Sequence, residues 1–133
     1  MRPLAGGPPA HAVGRRGELA ALLLLWLKGY RLRHRNWHGP RGELDLVMQR
    51  QGQIVFVEVK TRSGEGFGGA RAAVDHEKRR RLTAAAAAYL SRFSLWERPC
   101  RFDVVAVERS GRWPFWRIAH LENAFRPDLG RRL

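Results

Sequence analysis

Two neighbouring stretches, Glu43-Leu44-Asp45-Leu46-Val47 and Val55-Phe56-Val57-Glu58-Val59-Lys60, carry ionisable residues inside runs that otherwise read as buried strands. The turn residues Gln51-Gly52 between them make the two stretches the arms of a hairpin. Side chains alternate across a strand, so regular alternation puts Glu43 and Asp45 on one face and Leu44 and Leu46 on the other. By the same rule Glu58 and Lys60 share a face opposite Val57 and Val59. Carboxylates and a lysine inside an apolar hairpin cost several kcal/mol per ion unless the charges pair or bind a cation. The chain must fold so that these groups meet one another or an ion.

The segments around the hairpin supply the rest of a domain. From Gly14 to Gly29, Leu19, Leu22, Leu23, Trp26 and Leu27 recur at helical spacing, which predicts a helix burying that stripe, Trp26 included, and stopping at Gly29. Tyr30 to Trp37, Glu43 to Gln49 and Gln53 to Lys60 read as a three-stranded meander. The glycine-rich Thr61 to Ala73 reads as a loop facing substrate, and Val74 to Phe93, with the run Ala84 to Ala88, as a second helix. Beyond Pro99, Arg101 to Glu108 and Trp113 to His120 are the last expected strands. The expected order is α-β-β-β-α-β-β, one α/β domain over residues 13–125 with a mixed sheet flanked by helices. A flexible Pro- and Gly-rich leader at 1–12 and a tail at 126–133 complete the chain. The apolar run that includes Ala20 to Leu27 is far short of the ~20 residues that span a bilayer, so no membrane partner is expected. The single Cys100 excludes a disulfide framework within the chain and a Cys-based zinc cluster, which suits a reducing cytoplasm.

The chemistry available to the hairpin follows from its donor atoms. A hard cation such as Mg²⁺, or Mn²⁺ in its place, takes oxygen ligands, commonly one or two carboxylates plus waters and phosphate oxygens. Asp45 and Glu58 fit that role. On a phosphodiester the ion would polarise a phosphoryl oxygen and activate water, while Lys60 orients that water or stabilises the charge that builds on phosphorus. The plainer reading of Glu58-Val59-Lys60 is an ion pair near the end of a sheet, and the upstream Asp45 argues against it. Asp103 reads as a structural strand-end charge paired with Arg101 or with an arginine of the second helix. Other motifs lack support. Gly64-Glu65-Gly66-Phe67-Gly68-Gly69 has dinucleotide-loop spacing but does not directly follow its strand. His34 and His38 would lie roughly 13 Å apart along a strand, too far for zinc. No serine sits in a nucleophile elbow.

Charge points to the partner. Lys and Arg number 25 against 12 Asp and Glu, a net charge of +13, and a folded chain of that balance is expected on nucleic acid, DNA first. Lys78, Arg79, Arg80 and Arg81 open the second helix, Arg15 and Arg16 precede Glu18, Arg62 follows the hairpin, and Arg31, Arg33, Arg35 and Arg41 accompany the first strands. Phosphate contacts suit all of these. Trp37, Trp113 and Trp116 are open to packing or to base stacking.

At this point the sequence resembles a known family. Gly14-Arg15-Arg16-Gly17-Glu18, Tyr30 with Arg35-Asn36, Gly42-Glu43-Leu44-Asp45-Leu46-Val47, Phe56-Val57-Glu58-Val59-Lys60-Thr61-Arg62 and Arg101-Phe102-Asp103-Val104-Val105 are similar to the YraN family, bacterial proteins related to Holliday junction resolvases. The similarity covers about residues 13 to 125. It implies the restriction-endonuclease-like fold with its divided Asp, Glu-x-Lys nuclease signature, Asp45, Glu58 and Lys60 standing at the core catalytic positions. It also implies that Glu18 is an additional catalytic acid, although a carboxylate near a helix start suits the helix dipole in any fold. Glu43 matches a family position without an assigned role. The expectation is a Mg²⁺-dependent endonuclease acting on DNA, branched DNA included, with a homodimer supplying the two sites that junction cleavage needs. The rivals are a non-catalytic nucleic-acid-binding module of the same fold and a protein-interaction subunit.

Overall fold

In the computed structural model, which describes residues 10–63, 76–109, 116–126 and 129, the elements run α1 (Ala10–Leu27), β1 (Arg31–Gly39), β2 (Gly42–Arg50), β3 (Gln53–Ser63), α2 (His76–Arg92), β4 (Cys100–Arg109) and β5 (Trp116–Phe125). This is the expected α/β order. The leader, at residues 1–9, and the glycine-rich stretch, at 64–75, lie outside the described residues.

The five strands form one sheet in the order β1-β2-β3-β4-β5. Tight turns join β1, β2 and β3 as antiparallel neighbours, while α2 lies between β3 and β4, which pair in parallel. One helix covers each face. Leu82, Ala85, Ala86, Tyr89 and Leu90 of α2, at helical spacing, pack on Leu44, Val47, Ile54, Phe56, Phe102 and Val104. On the other face Ala21 and Leu25 of α1 join Leu46, Met48, Val55, Val57, Val105 and Val107. Among the described residues no helix is long and apolar enough to cross a membrane.

Helix α1 stops where the sequence predicts. Gly29 takes φ 94° and donates its N–H to Trp26 O at 3.0 Å, while Tyr30 donates to Leu25 O at 2.9 Å, closing a glycine cap. The face that α1 buries differs from expectation. Gly17, Ala21 and Leu25 turn inward, whereas Leu19, Leu23, Trp26 and Leu27 are exposed, Trp26 at 63%. The reason is steric: a Cβ at Gly17 would collide with Thr61 Oγ1 on β3, so the helix approaches the sheet along its smallest side chains. The last strand also departs from expectation. It runs on to Phe125, beyond His120, because Phe102 pairs with Phe125 past an irregularity in the ladder and Asn123, at φ 53°, donates its N–H to Asp103 Oδ1 at 3.0 Å.

Asp103 organises this end of the α1 face. It is 1% exposed and receives Arg101 through two hydrogen bonds of 2.8 Å and His120 Nε2 at 2.6 Å. Arg101 reaches on to the Tyr30 hydroxyl at 2.6 Å, and Lys28 donates to His120 Nδ1 at 2.6 Å. Burial raises the Asp103 pKa, but the hydrogen bonds from His120 and Arg101 outweigh it, and the net shift is downward. The ionised form therefore contributes stability at and above the ordinary carboxylate range, which is lost as pH falls through the lowered pKa. Asp103→Ala leaves Arg101 with only the half-exposed Glu122 carboxylate, 3.2 Å from Nη1, and should cost about 3 kcal/mol in urea denaturation at neutral pH. That difference should shrink on acidification to roughly pH 3.

Candidate active site

The hairpin of β2 and β3 pairs regularly from Arg50↔Gln53 to Leu46↔Val57. Past that point Val59 donates its N–H to Asp45 Oδ2 at 2.9 Å, so a side chain takes over from the backbone ladder. On the other side of β2, Asn36 of β1 sits between the Arg35↔Leu46 and Trp37↔Leu44 pairs with φ 52°. Strict alternation fails here. Leu44 enters the core under α2 and Leu46 the core under α1, although simple alternation puts both on one face.

Glu58, 7% exposed, lies beside Asp45 and accepts two ammonium groups on Oε1, Lys78 at 2.7 Å and Lys60 at 3.5 Å. Glu18 of α1 completes the cluster. Its Oε1 accepts Asn36 Nδ2 at 3.1 Å, with Arg35 Nε at 3.8 Å, and its charge reaches Asp45. The close approach at Gly17 is what brings the neighbouring Glu18 to this position. The carboxylates that converge are thus Asp45, Glu58 and Glu18. Glu43, expected on the same face as Asp45, lies on the rim with its carboxylate 3.4 Å from His38 Nδ1. A cavity of about 390 Å³ opens over the cluster, walled by Asp45, Glu58, Lys78 and Arg81.

The charges perturb one another as their spacing demands. Burial, then the charge of Glu58, pushes the Asp45 pKa up to about 7, against the lowering effect of the Val59 N–H. Burial and the neighbouring Lys78 pull Lys60 down. Burial also opposes the charge on Lys78, but its hydrogen bond to Glu58 prevails and the net shift is upward. Excess negative charge therefore sits at Asp45, and a proton or another cation relieves it. Among the described residues no group of three or more His, Cys, Asp or Glu is arranged to hold a metal. The donor set that fits a cation is the Asp45–Glu58 pair, which suits an ion that keeps several waters.

The basic residues divide by position. Lys78, expected on phosphates from sequence, belongs to the carboxylate cluster, and Arg81 lines the acidic cavity beside it. Arg79 and Arg80 face a different cavity, Arg80 held by Glu77 at 2.8 Å. Arg33 bonds the Tyr89 hydroxyl and Gln49, both at 3.0 Å, and Arg35 serves Glu18. The side chains of Arg15, Arg16, Arg62 and Trp116, and the whole of Trp113, lie outside the described residues. Sequence reasoning missed the part played by Lys78 and Asn36. The Arg35-Asn36 pair carried a signal in the resemblance, whereas nothing in the run Lys78 to Arg81 separates its first member.

Comparison with known proteins supports the resemblance. The profile of the uncharacterised protein family UPF0102 matches residues 17–107. A UPF0102 protein of Oleidesulfovibrio alaskensis is 46% identical over 114 residues, 85% of this chain and 56% of that protein, so the chain spans little more than half of that relative. A UPF0102 protein of Phocaeicola vulgatus is 41% identical over 116 residues, 87% of this chain and 93% of its own length. One from Moorella thermoacetica is 50% identical over 94 residues, covering 71% and 78% of the two chains.

The raised Asp45 pKa has a sign that melting experiments read. Stability from the protonated carboxyl is complete below the unfolded value and is lost as pH rises through about 7. Asp45→Asn keeps an acceptor for Val59 N–H and removes the charge. In EDTA the variant should gain on wild type between roughly pH 4 and 8, by on the order of 1–3 kcal/mol.

Proposed function

The chain belongs to the UPF0102 family, known also as the YraN family, and from that footing we propose that it is a divalent-metal-dependent endonuclease acting on DNA. The observation that carries this reading is the meeting of Asp45, Glu58 and Glu18 with two lysines at the point where the hairpin ladder ends. Asp45 and Glu58 would hold Mg²⁺ or Mn²⁺, which supplies Lewis-acid polarisation of a phosphoryl oxygen. Lys60, favoured toward its neutral amine by burial and by Lys78, is suited to orient a water and accept its proton. Lys78 keeps a cation on Glu58, and Arg81 on the cavity wall offers a phosphate a guanidinium. Glu18 adds to the negative potential at Asp45. Cutting both strands of a junction needs two such sites, which a homodimer would supply.

One contact favours a second reading. The 2.7 Å ion pair of Lys78 with Glu58 neutralises the carboxylate internally, as in a protein that binds nucleic acid without cutting it. Incubation with linear, flapped and four-way DNA in Mg²⁺, Mn²⁺ or EDTA separates the two. Cleavage is expected only with metal. Lys60→Met should lose on the order of a hundredfold in rate while keeping DNA affinity, and Asp45→Asn and Glu58→Gln should lose cleavage as well. If no substrate is cut, the binding module stands instead; if Lys60→Met cuts as fast as wild type, the role given to Lys60 fails.

A further inference from the structure

Helix α2 separates two environments. Lys78, Arg81 and Leu82 border the acidic cavity, while His76, Arg79, Arg80 and Thr83 line a second cavity of about 640 Å³. A third cavity, of about 740 Å³, continues along α2 past Ala88 and Ser91. The second and third share Arg41, Ala87 and Leu129, so they form one trough. Arg41 stands in the turn between β1 and β2, next to Gly42, which borders the acidic cavity, so the trough begins where that cavity ends.

The two parts of the trough differ in chemistry. In the part nearer the start of α2, Arg41, Arg79, Arg80 and Arg126 face the space, and among the described residues no Asp or Glu lines either part. Arg41 and Arg126 are exposed and have no carboxylate partner among the described residues. The other part carries Trp37 and Trp96, both half-buried and held in place. The Trp37 and Tyr89 rings meet nearly at right angles with centroids 5.2 Å apart, and Trp96 donates Nε1–H to Ser91 Oγ at 2.8 Å. Ala84 and Ala87 keep the floor open.

Cations followed by fixed indole faces form the pattern that takes an unpaired strand, with phosphates on arginine and bases against the aromatic rings. Each cavity is of the size that encloses a small ligand, roughly 300–1,000 Å³. Stacked base pairs offer their faces only to each other, so the indoles are of use to an unpaired base. Building on the proposed nuclease reading, we infer that the trough binds a single-stranded segment of the nucleic acid whose phosphodiester lies at the acidic cavity. Substrates with an unpaired tail or flap beside the scissile position would then be held better than blunt duplex.

Fluorescence anisotropy in EDTA tests this without cleavage, using a short labelled oligothymidylate and a blunt-ended two-strand duplex across a range of salt. Arg41→Gln with Arg126→Gln alters two exposed side chains and should leave the melting temperature unchanged. It should weaken oligothymidylate binding about tenfold and make the log–log salt slope shallower by about 1.4, at ~0.7 per phosphate, with the duplex little affected. Trp96→Leu, which keeps apolar packing, should weaken oligothymidylate binding with the slope unchanged, because stacking releases no counterions. Equal losses on both probes would overturn the inference in favour of a general basic surface, and unchanged binding of oligothymidylate would overturn it outright. Cleavage without trough-dependent binding removes the trough and leaves the metal site standing; trough-dependent binding without cleavage does the reverse.

Discussion

Asp45 accepts the Val59 N–H at 2.9 Å just beyond the last regular pair of the β2–β3 hairpin, and the arrangement around it depends on that contact. Without it the hairpin would continue as a ladder or leave a half-buried N–H unmet, at a cost of about 1–3 kcal/mol. With it, the carboxylate is fixed beside Glu58 in partial burial, where two negative charges cannot both be held cheaply. Lys60 and Lys78 answer one of them. The other is left with a pKa near 7, poised to exchange a proton for a cation.

What the sequence revealed and what it hid follow from the range of the interactions. The order of elements and the Gly29 stop depend on neighbours in the chain, and both were legible. The pairing of β2 with β3 was legible because the Gln51-Gly52 turn sets its register. The buried face of α1 was not. Its segment Ala20 to Leu27 is apolar all round, so periodicity could not choose a face, and the choice fell to Gly17 and Ala21, which admit the sheet most closely. Alternation along β2 failed at Asp45 because Asn36, on the neighbouring strand, leaves regular geometry. The grouping of Asp45, Glu58 and Lys60 was legible in the alternation and Glu18 in the resemblance, but the exclusion of Glu43 and the part of Lys78 were not. Glu18 rather than Glu43 joins Asp45 and Glu58, and Lys78 leaves the basic run to serve them, through helix–sheet contacts that no local pattern encodes.

The charge of +13 is therefore not spread as a uniform coat. Part of it is structural: Arg101 on Asp103, Arg33 on Tyr89 and Gln49, and Arg35 on Glu18. Part sits at the carboxylate cluster as Lys60, Lys78 and Arg81, and part faces away from it along α2. A polyanion drawn to the surface of the described residues meets clustered carboxylates at the cavity over Asp45 and Glu58. There Lys60 and Lys78 already answer Glu58, and the unanswered charge is that of Asp45, which would repel a phosphate unless a cation came between them; this is the physical reason for linking the proposed site to a metal.

Calorimetric titration of Mn²⁺ at pH 7, repeated in buffers of different ionisation heat, tests the linkage between that proton and that cation most directly. The account expects binding to release a measurable fraction of a proton, because the ion displaces the one shared at Asp45. The release should disappear near about pH 9, where the carboxyl is already ionised, and Asp45→Asn should bind the ion far more weakly. Binding with no proton release that survives unchanged in Asp45→Asn, or no binding at all, would contradict it.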